Sequence, residues 1–342
     1  MMKLGLSAGY WSSGPPPGAE EQIAAAEDLG FDSVWTAEAY GSDALTPLAW
    51  WGSKTKKLKL GTSIVQLSAR TPAATAMAAM TLDHLSGGRV ILGIGASGPQ
   101  VVEGWYGQPY PRPLERTREY IDILRMIFAR EKPVEYSGHH YQMPFHGGMN
   151  LGKALKSTIH PLRTEIPVFL AAEGPKNVAL AAEIADGWLP LFMSPKSDRF
   201  YRDALAEGFK RPTARHKPED FEVAAIVPVI VNKDVEAAAD MVRPMLALYA
   251  GGMGARNANF HFDVLARLGY EEVCLRVQDL YLNGKKREAM AAIPTQMVED
   301  TALIGPIEKI RDDLAAWRST CLTTMLVGGP PPLLEQIAKA VL

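Results

Sequence analysis

The sequence predicts an α/β fold, a closed barrel of eight parallel strands, and three observations carry that expectation. Short apolar runs alternate with amphipathic stretches at the spacing of strand–helix–strand units. Eight strand candidates can be placed between residues 4 and 329. The chain of 342 residues, 47% of them hydrophobic, is long enough to bury such a barrel as one domain, 1–342.

Strand one is read at 4–8 (LGLSA), followed by a helix at 18–30 that ends in glycine, the residue suited to a left-handed C′ position. Strand two follows at 32–38, a helix around 43–54, strand three at 57–65 (KLKLGTSIV), a helix opened by Pro72, and strand four at 89–95 (RVILGIG). A Gly/Pro-rich excursion then interrupts the rhythm before a helix at 114–131 and a hairpin-like stretch PVEYSGHHYQMP. The segment 166–192 supplies strand, helix and strand in about the minimum length a parallel crossover needs. Strand seven is read at 221–231, strand eight at 323–329, and a terminal helix closes the chain. Two insertions are thus expected, one after strand four and one between strands seven and eight, the latter a predominantly helical stretch at 233–320. Its loop YAGGMGARNANFHF (249–262) is either a hinge or lid base or a surface turn between helices.

Composition narrows the function classes. Lys+Arg 36 against Asp+Glu 38 gives a net charge of −2, which argues against a nucleic-acid footprint or a polybasic membrane patch. Two cysteines, Cys274 and Cys321, offer neither metal-ligand spacing nor a disulfide framework. The N-terminus does not resemble a secretory signal and no apolar run is long enough to span a bilayer, so the expected location is the cytoplasm.

Barrels of this kind gather their chemistry at the C-terminal ends of the strands, while the opposite face serves stability. That rule places Glu38 and Tyr40, Ser63 to Gln66, Gly95 to Gly98 and Glu173 to Asn177 on the active face. The polar segment DHLSGGR (83–89) precedes strand four, so Asp83, His84, Gly87, Gly88 and Arg89 are expected at the bottom, as structural residues. At the active face, LGTSIVQLSARTP (60–72) runs an apolar strand into a turn of small polar residues, a pattern that lets the backbone bend or a ligand approach closely. The glycines of GIGASG (93–98) similarly let backbone N–H groups approach a ligand, and in AEGPKN (172–177) a strand turns into a helix whose free N–H groups can hold a phosphate, with Lys176 adding charge. His139, His140 and His146 are closely spaced, but a hairpin would point the adjacent pair to opposite faces and no carboxylate or cysteine completes a set, so no metal site is expected. Of Trp50 and Trp51, at least one is expected in the core. Trp105 and Tyr106, in the excursion after strand four, and Tyr40, after strand two, are candidate substrate contacts; the first two can alternatively pack the insertion.

The blocks LGTSIVQLSARTPAATAMAAMTLDHLSGGRVILGIGASGPQ and AAEGPKNVALAAEIADGW resemble the luciferase-like flavin and deazaflavin oxidoreductases, and within them the actinobacterial branch that uses coenzyme F420. The resemblance runs through nearly the whole chain and implies a TIM (β/α)8 barrel, an F420-dependent dehydrogenase or reductase, a small-molecule substrate and a homodimer or higher homo-oligomer. It implies a non-prolyl cis bond between Ser63 and Ile64, with Ile64 against one face of the cofactor ring. Gln66, Gly95, Ala96 and Ser97 line the cofactor, and Glu173, Gly174, Pro175, Lys176 and Asn177 hold its phosphate. Glu38 is implied as the acidic residue near the reactive edge, either orienting the cofactor or exchanging a proton; a salt-bridged rim carboxylate is the alternative. The phosphate segment suits F420 and FMN equally, so an FMN-dependent monooxygenase or a non-catalytic carrier remains an alternative. Two departures stand out. Several relatives have a histidine immediately after the acid, where this chain has Ala39 and then Tyr40, and Gly98 stands where the sugar-phosphate dehydrogenase has a catalytic glutamate. The expected substrate is a moderately apolar ketone, aldehyde, alcohol or activated alkene, because only Arg70 and Lys176 supply positive charge at the strand ends.

Overall fold

The computed structural model describes residues 2–254, 256 and 258–342. Eight strands form the barrel: β1 (Lys3–Ser7), β2 (Ser33–Thr36), β3 (Lys59–Thr62), β4 (Val90–Gly95), β5 (Val168–Ala171), β6 (Gly187–Leu189), β7 (Glu222–Ile226) and β8 (Thr324–Val327). Each pairs in parallel with its sequence neighbours, from Gly5 opposite Ser33 to Ala225 opposite Met325, and β1 closes the ring by pairing Lys3 with Thr324. Their side chains are buried on both faces and mostly apolar, because the helices cover the outside and the barrel fills its own inside.

Inside, Trp35, Ile91, Phe169, Leu189, Ala224 and Leu326 form a cluster of their own. The rings of Trp35 and Phe169 lie 5.8 Å apart, and the Trp35 indole donates to Ser33 Oγ at 2.8 Å. Gly61 makes this packing possible, since a Cβ there would lie 2.4 Å from the Trp35 ring. Outside, the helix Pro113–Ala129 buries Tyr120, Ile121, Ile123, Leu124, Ile127 and Phe128 along one face. The helix Pro72–Ser86 is bounded as its sequence dictates: Thr71 accepts from the Ala74 N–H, Pro72 takes the first turn, and Gly87 ends it at φ 69°.

Three readings of the sequence need correction. The run 221–231 is not one strand. Pro228 has no N–H to continue the ladder, so β7 ends at Ile226 and Val229–Val231 leaves the barrel to pair with Leu303–Gly305. The stretch 233–320 is therefore interrupted by a strand, too short to show periodicity, and its last helix, Ile307–Arg318, belongs to the barrel's outer ring. The remaining insertion packs on a separate apolar cluster that includes Leu246, Leu265, Val277 and Met297. The hairpin after β4 is reduced to Tyr136–Ser137 and Gln142–Met143, which puts His139 and His140 in its turn rather than in alternation along a strand.

Candidate active site

Two residues past β2, the Glu38 side chain is only 3% exposed, and a carboxylate buried that deeply needs partners. It has four. Arg70 Nη1 donates to both oxygens, at 2.8 and 2.7 Å, while the Gln66 N–H donates to Oε1 at 3.1 Å and the Ala44 N–H to Oε2 at 3.3 Å. Gln66 Nε2 returns the favour by donating to the carbonyls of Glu38 and Ala39. One carboxylate thus ties the loop after β2, the loop after β3 and the start of the helix Leu45–Gly52. Each oxygen already holds an Arg70 contact and a backbone N–H. The Arg70 partnership was invisible in sequence, where the two residues stand 32 positions apart.

The Ser63–Ile64 peptide bond is cis, at the position the family resemblance implies. Ile64 folds over the top of the interior cluster, and Gly95 leaves it room: a Cβ on Gly95 would stand 2.6 Å from Ile64 Cδ1 and 3.2 Å from Ala171 Cβ. Beside this floor Gln66 is buried, and its Oε1 has no hydrogen-bond partner among the described residues.

After β4, Ser97 adopts φ 59° and its carbonyl accepts from Tyr110 Oη at 2.8 Å. Burial pushes the Tyr110 phenol up to about 12, so it stays a neutral donor. Ala96 lies partly buried beside it. Trp105 and Tyr106 join Glu38, Ala39, Asp43 and Arg70 in lining a cleft at the mouth. Tyr106 Oη donates to the Ala39 carbonyl at 3.0 Å, and burial, reinforced by the Glu38 charge, raises its pKa. Trp105 and Tyr40 are 65% and 58% exposed, but Tyr40 stands outside the cleft's lining.

Across the mouth, Gly174 opens the helix Pro175–Ile184 without a side-chain cap, leaving its first-turn N–H groups to an incoming acceptor; Gly174, Pro175 and Lys176 are exposed. Asn177 Oδ1 and Glu173 Oε2 are buried and have no hydrogen-bond partner among the described residues. Glu173 Oε1 lies 2.7 Å from His261 Nδ1, and Arg267 donates to the Glu173 carbonyl. The His261 ring packs edge to face on Tyr249, 4.8 Å away, and on Phe192 beyond β6. Burial drives the Tyr249 phenol well above its ordinary pKa. His261, Tyr249 and Arg267 come from the insertion and were not among the expected site residues, although 249–262 had been singled out as a hinge or lid base. Asn259 fastens that segment by donating to the carbonyls of Tyr249 and Ala250; its Ala255 and Asn257 lie outside the described residues.

The residues expected at the bottom are there and carry structure. Arg163 grips the buried Asp83 through two nitrogens, His84 Nε2 contacts the His160 carbonyl, and Arg89 makes five hydrogen bonds to Gly52, Thr55, Leu58 and Ser86. Trp51 is core and Trp50 is exposed. The carboxylate of Glu119 accepts from the backbone N–H groups of His139, His140 and Tyr141. Among the described residues no cluster of three or more His, Cys, Asp or Glu side chains could hold a metal ion, and no helix is long and apolar enough to cross a membrane.

With this geometry in place, comparison with known proteins is informative. The luciferase-like monooxygenase family model matches residues 4–324. A Mycobacterium tuberculosis protein, provisionally named a coenzyme F420-dependent oxidoreductase, is 58% identical over 328 residues, spanning 95% of this chain and 94% of that protein. The fold is similar to that of the F420-dependent tetrahydromethanopterin reductase from Methanopyrus kandleri, with a TM-score of 0.82 at 24% identity over 99% of this chain and 98% of that one. It is also similar to an F420-dependent secondary alcohol dehydrogenase solved with an F420–acetone adduct, with a TM-score of 0.75 at 18% identity and coverage of 99% and 98%. The barrel, its mouth insertions and the match along nearly its full length place this chain in the luciferase-like monooxygenase family.

Proposed function

We propose that this protein is a coenzyme F420-dependent oxidoreductase that transfers a hydride between F420 and a small organic substrate at the C-terminal mouth of the barrel. The observation that carries the reading is that the three buried side-chain oxygens without a partner among the described residues, Gln66 Oε1, Glu173 Oε2 and Asn177 Oδ1, all belong to segments at the mouth. Unpaired buried acceptors cost stability unless a ligand supplies donors. A cofactor rich in N–H and O–H groups with a phosphate-bearing tail fits them. The name of the 58% identical mycobacterial relative supports F420 over FMN.

When bound, F420 carries carbon where a flavin has its reactive N5, so it exchanges a hydride and reacts poorly with oxygen. The chain's own residues do the rest. Ile64, seated against Gly95, forms a flat apolar floor for the ring. Gln66, Ala96 and Ser97 border it, and the open helix start at Gly174–Asn177, with Lys176 nearby, holds phosphate. Glu38 fixes the position of Gln66 and Arg70 and so shapes the cleft, while Trp105 and Tyr106 wall it. Because Arg70 is committed to Glu38, it offers no free charge to an anionic substrate, which favours an uncharged one.

Equilibrium quenching of oxidised F420 and, separately, of FMN fluorescence tests the assignment. Micromolar or tighter F420 binding with negligible FMN binding is expected. A preference for FMN would overturn it and turn attention to oxygen-dependent chemistry.

A further inference from the structure

Resting on the F420 reading, we propose that His261, held by Glu173, is the proton-transfer residue of this site and that it acts on carbonyl–alcohol couples. Hydride arrival at a carbonyl carbon leaves the electron pair of the C=O π bond on oxygen, and that oxygen must take a proton as the C–H bond forms. In the opposite direction the alcohol O–H proton departs to a base as the C–H hydride departs to the cofactor. The mouth therefore needs one group able to hold and release a proton.

Glu38 is ill placed for that task, since both of its oxygens are occupied by Arg70 and backbone N–H groups. Ala39 contributes no side-chain acid or base, and Tyr106 spends its hydroxyl on the Ala39 carbonyl. Of the seven histidines in the chain, His84, His139, His140 and His160 lie at the bottom or on the outer wall, and His216 pairs with Asp186 beneath β6. His146 falls in the exposed segment that follows the hairpin. His261 is the one carried to the mouth, on the helix Phe260–Leu265 of the insertion.

Its setting is that of an oriented base. Glu173 Oε1 stands 2.7 Å from Nδ1, and the rings of Tyr249 and Phe192 clamp the imidazole from two sides. The contact is out of line for a hydrogen bond, so Glu173 holds the ring by close approach beside Nδ1, and Nε2 is left for the substrate. Nε2 hydrogen-bonds to no described residue. The partner carboxylate sits in the same AEGPKN segment that opens toward the cofactor phosphate, so one loop would position both cofactor and base. In the reduction direction His261 gives the Nε2 proton to the nascent alkoxide, and in oxidation it takes the proton back.

The test combines two readouts on the full-length protein and its His261→Gln and Glu173→Gln variants: F420 fluorescence quenching, and F420H2 oxidation by a panel of cyclohexanone, acetone, butanal and benzaldehyde. Expected are wild-type turnover of at least one panel member, a fall in kcat of roughly a hundredfold in His261→Gln, a smaller fall in Glu173→Gln, and F420 affinity in His261→Gln within about threefold of wild type, the scale of a lost peripheral contact. Three results would overturn the inference while leaving the F420 reading standing: wild type that binds F420 but oxidises F420H2 with no panel member, His261→Gln with unchanged kcat, or His261→Gln that loses F420 affinity and turnover together. Wild type that fails to bind F420 would instead bring down the reading beneath it.

Discussion

At the N-terminal end of the barrel, Arg89 spreads five hydrogen bonds over the carbonyls of Gly52, Thr55, Leu58 and Ser86 and the Thr55 hydroxyl. At the C-terminal mouth, Gln66 is more deeply buried than Arg89, yet its Oε1 has no partner among the described residues. The contrast extends to neighbours. Below, Asp83 is gripped by Arg163, and Asp186 receives Arg125, the Val168 N–H and His216, with Arg125 Nε the exception left unpaired. Above, Glu173 and Asn177 each have one acceptor without a partner among the described residues. Both ends bury polar groups, but the bottom spends its hydrogen-bonding capacity internally and the mouth keeps some in reserve. Burial alone therefore does not separate the two ends, whereas buried side-chain oxygens without a partner among the described residues do, since all three stand at the mouth.

The Glu38–Arg70 pair crosses this division, because it is fully satisfied yet stands at the mouth. Arg70→Ala would strand a buried carboxylate and is expected to have the largest effect, a loss of roughly 3–5 kcal/mol in urea unfolding together with loss of F420 binding. Stability lost with F420 affinity intact would show the pair to be scaffold only. At the bottom, Asp83→Ala removes the Arg163 grip and the acceptor of the Val90 N–H. An expected cost of about 2–4 kcal/mol should leave the F420 quenching midpoint unmoved, and a shifted midpoint would blur the separation of the two ends. The smallest effect is expected from Gly95→Ala. The new methyl meets only the tip of Ile64 and the Ala171 methyl, so the fold should lose little while the ring floor shifts. Roughly tenfold weaker F420 binding, about 1.4 kcal/mol, with a nearly unchanged Tm is the expected signature.

Periodicity located all eight barrel strands and the helices between most of them, because each strand is a short apolar run and each helix an amphipathic one of ordinary length. It failed where the signal was too short or a proline broke it: Leu303–Gly305 has three residues, and Val229–Val231 follows Pro228 out of the barrel. The site was legible only in part. The segments that follow β2, β3, β4 and β5 could be assigned to the mouth because a parallel barrel sends every strand end the same way. Which groups meet there could not be read from the chain, since Glu38 with Arg70 and Glu173 with His261 are pairings across 32 and 88 positions that no local pattern encodes.

The sequence by itself thus determined the barrel, its polarity, the structural character of the 83–89 segment and the small-residue turns at the mouth. All of these follow from local hydrophobic period, turn chemistry and the fixed direction of βα units. Only the tertiary structure decided that Glu38 is consumed by Arg70, that three buried acceptors have no partner among the described residues, and that the insertion delivers His261 to Glu173. Those are properties of how distant segments close on one another, and hydrogen-bond capacity can be counted only after they have closed.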